Sequence, residues 1–180
     1  GAFLSGNHPL VSVLKEVLAR DHNEKHGCRI SESRHTVSTF IQNVHHFIGE
    51  YFGDEKGNLS PPDRIIVFDE AQRAWNKKQS NNKFNRPFSE PEIILNIMDR
   101  HSDWSVIVAL VGGGQEINTG EAGIGEWGKA IVDNYPHWQV WVAPQLLNRD
   151  HSTAGMPIYE TVPRKVSIRQ FPELHLEVSQ

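Results

Sequence analysis

Cysteine occurs once in these 180 residues, at Cys28, so no disulfide can close within the chain. That suits a reducing compartment, and a cytoplasmic location is the expectation. No run of eighteen apolar residues is present, which excludes a transmembrane helix and leaves no membrane among the expected partners. An excess of positive charge is also missing. Eighteen Lys and Arg stand against 22 Asp and Glu, a formal net charge of −4, so bulk charge alone would not hold nucleic acid. Gly1 to Asn7 offers neither a basic flank nor a long apolar stretch, and no signal peptide is expected there. No internal repeat and no shift in composition marks a second domain, so residues 1–180 read as one domain. With 38% hydrophobic and 22% charged residues the chain is not disordered in character, and at this length roughly 70% of the unfolded surface can be buried.

Two apolar runs, Ile65–Phe68 and Val106–Val111, show no alternation and are rich in β-branched residues. Such runs fit strands covered on both faces, as in a parallel sheet between helices. Shorter strand candidates are Ala2–Leu4, Trp138–Val142 and Leu174–Val178. Between them lie helical patterns. Asn7 is placed to cap a helix that has Pro9 in its first turn and Leu10, Val13, Leu14, Val17 and Leu18 on one face. Val37, Phe40, Ile41, Val44, Phe47, Ile48 and Tyr51 are spaced for a second, continuous helix of four turns. Ser89 with Glu92 reads as a capping box opening a third, with Ile93, Ile94, Ile97 and Met98. The alternation predicts an α/β layered domain. Gly53–Asp63, Asn76–Arg86 and Asn148–Gly155 read as polar loops, the second of them basic and mobile.

The chemistry concentrates at two strand ends. Ile65–Phe68 runs into Asp69-Glu70-Ala71-Gln72. A strand that delivers two adjacent carboxylates to the carboxyl edge of a sheet places them where open α/β folds bind ligands. One acid can hold Mg²⁺ beside nucleotide phosphates, and the other can polarise an attacking water. A strand ending in an acidic turn is the purely structural alternative. Val108–Val111 runs into Gly112-Gly113-Gly114-Gln115, where glycines allow the backbone close to a ligand and Gln115 can sense a phosphate or a water. A plain glycine-rich turn is the alternative there.

Taken together, the stretches FLSGNHPLVSVL, TFIQNVHHFIGEYF, RIIVFDEAQRAW, SEPEIILNIMDRHSDW, IVALVGGGQEINTGEAGIGEW and LHLEVS resemble the Schlafen group-3-type DNA/RNA helicase domain across almost the whole chain. That bacterial P-loop domain is similar to superfamily 1 helicases. The resemblance implies a RecA-like P-loop NTPase core, mainly a parallel sheet flanked by helices, in a protein that couples ATP with Mg²⁺ to DNA or RNA. It makes Asp69 the Mg²⁺-holding acid and Glu70 the water-activating one, and puts Gln72 in the same nucleotide-binding motif. Gln115, preceded by Gly113 and Gly114, becomes the γ-phosphate sensor. Ser5, Gly6 and Asn7 take the place of a motif that touches the nucleic-acid backbone. Gly112 to Gln115 is one residue shorter than the superfamily 1 pattern Gly-Asp-x-x-Gln and lacks its Asp.

The phosphate-binding loop G-x4-G-K-[ST] has no full match. In the family it lies upstream of FLSGN, so the fold is expected to be incomplete there, with the phosphate-loop strand absent. No ATP turnover, and no bound cofactor, is then expected of the isolated chain. Exposed sheet edges would favour a homo-oligomer or a strand swap. Gly123–Lys129 fits the spacing but has Ala130 where Ser or Thr should follow, and it reads instead as a helix turn packed by Trp127.

The alternative to a motor core is a non-enzymatic interaction or regulatory domain on the same fold. A metal-dependent hydrolase would need His101 or another histidine to converge on Asp69 and Glu70. His22, His26 and Cys28 have no fourth ligand at a familiar spacing, and His45-His46 reads as solvated. Arg73 and Trp75 are candidates to touch nucleic acid. Lys77, Lys78, Lys83 and Arg86 form the one basic cluster, read as a solvated loop. Trp104, Trp127, Trp138 and Trp141 read as core or edge packing.

Overall fold

The computed structural model describes residues 1–52, 59–112, 123–150 and 155–176. In chain order its elements are β1 (Ala2–Ser5), α1 (His8–His26), α2 (Ile30–Phe40), β2 (Ile41–Asn43), α3 (Val44–Tyr51), β3 (Ile65–Asp69), α4 (Lys77–Phe84), α5 (Glu90–Met98), β4 (Val106–Ala109), α6 (Gly125–Asn134), β5 (Gln139–Val142) and β6 (Ser167–Gln170). Short 3-10 turns lie at Ala71–Arg73, Pro144–Leu147 and Pro172–Leu174. The chain forms two compact units, one of residues 1–70 and 97–110, the other of residues 71–96 and 111–180.

The first unit is a parallel sheet in the order β2-β1-β3-β4, with helices against it. The α/β class expected from the apolar runs is therefore present. Phe3 pairs in register with Ile41 and with Val67, so these three side chains share one face. There α1 and α2 cover β1 and β2 through Val11, Leu14, Ala19, Ile30 and Val37, packed on Phe3 and Ile41. The opposite face carries Ala2, Leu4, Ile66 and Phe68, all buried. Burying each large side chain of this kind is worth ~1.5–3 kcal/mol.

Asn7 caps α1 as expected: its Oδ1 accepts from the Leu10 amide at 3.2 Å. The expected apolar stripe of that helix is turned, however. Val11 and Ala19 are buried, whereas Val13 and Val17 are exposed. Apolar residues of α1 occupy more than one side of the helix, and packing against α2 selects the side of Val11, Leu14 and Ala19. The four-turn helix over Val37–Tyr51 is not continuous. Ile41–Asn43 pairs with β1 instead, and Asn43 restarts the helix by accepting from the His45 amide at 2.9 Å. Sheet pairing along a free edge of β1 outweighs helical spacing there.

A third correction concerns β4. Val106 and Val108, with Ile65 level with Val106, are about two-fifths exposed, so this run is not covered on both faces. Among the described residues it is the last strand in the sheet order, and the packing of α1 and α2 on the sheet is centred on β1 and β2.

The second unit contains α4, the first two turns of α5, α6 and the parallel pair β5-β6. The capping box of α5 forms in both directions between Ser89 and Glu92, at 3.4 Å each way, and Ile93, Ile94, Ile97 and Met98 are fully buried. Asn76–Arg86 is not a mobile loop but carries α4. Asn76 accepts from the Gln79 amide at 2.9 Å, and Asn85 closes the C-terminus in the left-handed region at φ 53°. Of the expected strand at Leu174–Val178, Leu174 belongs to the turn at Pro172–Leu174, His175 and Leu176 are in no strand, and Glu177 and Val178 lie outside the described residues. The strand of that region is β6, which pairs with β5 from Gln139↔Ser167 to Val142↔Gln170. Trp127 is buried, but Trp104 and Trp141 are more than half exposed and are not core. Trp104 lies under Arg64, and Trp141 stacks on Phe171. No described helix is long and apolar enough to cross a membrane.

Candidate functional site

The order of the first sheet reverses at β1: the chain runs outward from β1 to β2, then returns to β3 and β4 on the other side. Such a switch point, at the carboxyl ends of the strands, is where open α/β sheets leave a crevice for a ligand. The last residues of β1 and β3, Ser5 and Asp69, meet there as register partners. The hydroxyl of Ser5, which is fully buried, donates to Asp69 Oδ2 at 3.2 Å and accepts from the Asn7 amide at 3.2 Å. Ser5 is also level with Asn43 at the end of β2. The structure thus brings Ser5 and Asn7, which the resemblance assigns to one motif, together with Asp69 of another. Nothing in the sequence spacing points to Asn43; its only signal is an Asn at a helix start.

Gly6 lies in the same edge without being required by packing. A Cβ there would meet only Val44 Cγ1, at 4.0 Å. Asn7 is engaged at both ends, as the cap of α1 and as donor to Ser5.

Glu70 follows Asp69 with φ 52°, in the left-handed region. For a residue with a Cβ this costs roughly 1–2 kcal/mol. Non-glycine residues in that region concentrate at functional sites, because the strain persists only where the surroundings impose it. Here it turns the chain out of β3 at the second of the two carboxylates, directly after Asp69.

In the second unit, the turn at Ala71–Arg73 is fixed by its neighbours. The indole of buried Trp127 donates to the Ala71 carbonyl at 2.9 Å. Gln72 is buried and holds two strands of chain: its side-chain Oε1 accepts from the Gly112 amide at 3.2 Å, and its backbone carbonyl accepts from the Gly123 amide at 3.0 Å. Residues 112 and 123 border the glycine-rich segment, so Gln72 sets both ends of it. Gly113, Gly114 and Gln115 themselves lie outside the described residues. Arg73 is half-buried on the turn. The backbone of Trp75 is clamped to α5, donating to Glu90 Oε2 at 2.8 Å and accepting from the Glu90 amide at 3.0 Å, while its ring stacks on Phe84.

Gly123–Lys129 is no phosphate loop. Gly125 to Lys129 form the start of α6, and a Cβ at Gly128 would fall 2.0 Å from the Ile158 carbonyl oxygen. The glycine there serves close packing of helix on backbone.

Among the described residues the histidines do not form a metal centre. His22 Nδ1 lies 3.1 Å from Ser33 Oγ and 3.4 Å from Cys28 Sγ, which joins the end of α1 to the start of α2. Among the described residues no group of three or more His, Cys, Asp or Glu is arranged to hold a metal. The convergence of a histidine on Asp69 and Glu70 that a metal hydrolase would need is therefore not found among them.

No curated protein and no solved structure matches the chain significantly. The sequence profile of one family, described as "Schlafen group 3, DNA/RNA helicase domain", matches residues 1–178. A helicase-like function, with nucleic acid and nucleotide as ligands in general, follows at that coarse level. The chain belongs to the Schlafen group 3 DNA/RNA helicase domain family.

Proposed function

We propose that this domain is the core of an ATP-dependent nucleic-acid motor of RecA-like P-loop type, with its catalytic acids at the end of β3. The observation that carries the reading is the pairing of Asp69 with buried Ser5 at the switch point of the parallel sheet, followed at once by Glu70 in a left-handed conformation.

The donors at this edge suit Mg²⁺, a hard cation that takes one or two carboxylates and completes its shell with water and phosphate oxygens. Asp69 would hold it with nucleotide; bound there, the ion would offset phosphate charge. Glu70 takes the role of orienting and deprotonating the attacking water. Gln72 serves the nucleotide indirectly by positioning the ends of the segment that contains Gly113, Gly114 and Gln115, with Gln115 reading the γ-phosphate. Ser5, Gly6, Asn7 and Arg73 are the nucleic-acid contacts of this reading. Gly6 fits, since no packing demand fills the space beside it.

No phosphate-cradling loop is found among the described residues, and the one near-match to its sequence pattern is the packed start of α6. The chain by itself is therefore expected to show no ATP turnover. In a longer chain that carries this domain together with such a loop, Glu70→Gln should lower kcat at least about 100-fold while leaving Mg·ATP affinity intact. Unchanged turnover in that variant, or turnover by the 180 residues alone, would sink the proposal.

One observation favours the alternative of an interaction domain: the exposed apolar face of Ile65, Val106, Val108 and Leu110 beside the edge strand β4. Uncovered edges of this kind recruit further strands. Concentration-dependent dimerisation in sedimentation, abolished by Val108→Lys, would support it; a monomer at high concentration would dismiss it.

A further inference from the structure

We propose that α4 and its flanking residues form a docking surface for single-stranded nucleic acid, with Phe84 and Phe88 as stacking rings and Lys77, Lys83 and Arg86 as phosphate contacts. This rests on the nucleic-acid part of the reading above and is independent of its ATP part.

The charge distribution is the first support. From Ala71 to Ser89 the chain has five basic residues, Arg73, Lys77, Lys78, Lys83 and Arg86, and no acidic one, in a protein whose net charge is −4. Among the described residues no ion pair engages the three lysines. The neighbouring acids of α5 are committed elsewhere: Glu90 is buried and accepts from the Trp75 amide, and Glu92 accepts from the Ser89 amide and the Asn134 side chain. Burial lowers the pKa of Arg86 from its ordinary value, and Glu90 acts electrostatically in the opposite direction.

The rings are the second support. Phe84 is 43% exposed and Phe88 39% exposed, so part of each ring is accessible from solvent. Each has a cation over it: the Arg86 guanidinium lies 4.7 Å from the Phe84 centroid, and the Lys77 ammonium 6.0 Å from that of Phe88. Trp75 stacks on Phe84 with ring centroids 5.6 Å apart and planes 18° from parallel. Aromatic rings interleaved with cations are what sequence-tolerant binding of single strands uses: bases stack on the rings while the cations follow the phosphates. When Lys77 or Arg86 turns to a phosphate, the ring face it covered becomes available to a base.

The surface is also preorganised. Asn76 and Asn85 cap the two ends of α4, the Arg86 amide reaches the Ser80 carbonyl at 3.5 Å, and Ser80 is buried. Little ordering would remain to be done on binding.

The test is fluorescence anisotropy of a labelled oligo-dT or oligo-U with the 180-residue chain, without nucleotide, across a salt series. The chain should bind, and should prefer the single strand to a duplex of the same length. Phe84→Ala with Phe88→Ala should weaken binding at least about tenfold. Lys77→Gln with Lys83→Gln should flatten the slope of log K against log salt by about 1.4. These side chains are exposed, so folding should persist, checked by circular dichroism. Binding that both variants leave intact overturns the α4 surface while the nucleic-acid reading stands. No binding to single strand or duplex overturns both. A duplex bound as well as the single strand, or anionic phospholipid vesicles bound in place of the oligonucleotide, overturns the proposed partner.

Discussion

Gly128 provides the sharpest test of how the G-x4-G-K stretch is used. A Cβ added there would sit 2.0 Å from the Ile158 carbonyl oxygen and 3.0 Å from both the Ile158 carbonyl carbon and Tyr159 Cδ1. The obstacle is backbone, so no side chain can swing away, and α6 or the chain at Ile158 must move by about an ångström. Overpacking of this kind costs about 1–3 kcal/mol, and a backbone obstacle places it near the top of that range. Ala returns up to about 1 kcal/mol through its better helix propensity. The net expectation for Gly128→Ala is a loss of about 2 kcal/mol, or about 4–8 °C in melting temperature for a chain of this size. Gly125→Ala is the internal control. Its Cβ would lie 3.8 Å from the Pro157 carbonyl oxygen, an ordinary contact, so that variant should be neutral or slightly more stable. Thermal unfolding followed by circular dichroism, with a urea titration to check the slope, reads both. Equal stabilities for the two variants would refute the close-packing account. Nucleotide binding lost in Lys129→Ala, with Gly128→Ala fully stable, would restore the phosphate-loop reading.

Ser5→Ala leaves the Asn7 amide and Asp69 Oδ2 without a shared partner, at a cost of about 1 kcal/mol, and should lower the melting temperature by about 2–4 °C; no change would mean that the hydroxyl is idle. At Glu70, φ 52° penalises a β-branched side chain, so Glu70→Val should melt below Glu70→Gly by at least about 2 °C, and the reverse order would discount the strain. Acid should weaken the α1–α2 contact in a defined window. Hydrogen bonds from Arg34 first, and then Arg20, hold the Glu16 carboxyl down at about 2, against 4.5 ordinarily. A depressed folded value stabilises above about pH 4.5 and loses that contribution as pH falls toward 2, so the stability gap between the wild type and Glu16→Gln should close over that range. A gap independent of pH would show that the ion pair adds nothing.

What the sequence made legible was what is encoded locally. β1 and β3 are apolar runs, α1 and α5 announce themselves by Asn7 and by Ser89 with Glu92, and all four are where those signals put them. The missed elements owe their existence to partners or to caps. Ile41–Asn43 has the spacing of a helix and becomes a strand because β1 offers an edge. Ser167–Gln170 contains a single aliphatic residue and is a strand through its pairing with β5. α4 has no apolar stripe and is held by Asn76, Asn85 and buried Ser80.

The site divides along the same line. Asp69 and Glu70 are visible in the sequence because a strand followed by two acids is a local pattern. Their neighbours are not, because parallel register decides them: Phe3 against Val67 puts Ser5 level with Asp69, and a shift of one residue would turn the Ser5 hydroxyl to the other face. Gln72 makes the point from the opposite side. Its place beside the acids suggests a ligand contact, yet its side-chain carbonyl is taken up by the Gly112 amide and its backbone carbonyl by the Gly123 amide. Replacing Gln72 should therefore loosen Gly112 and Gly123, the two residues that its carbonyls hold.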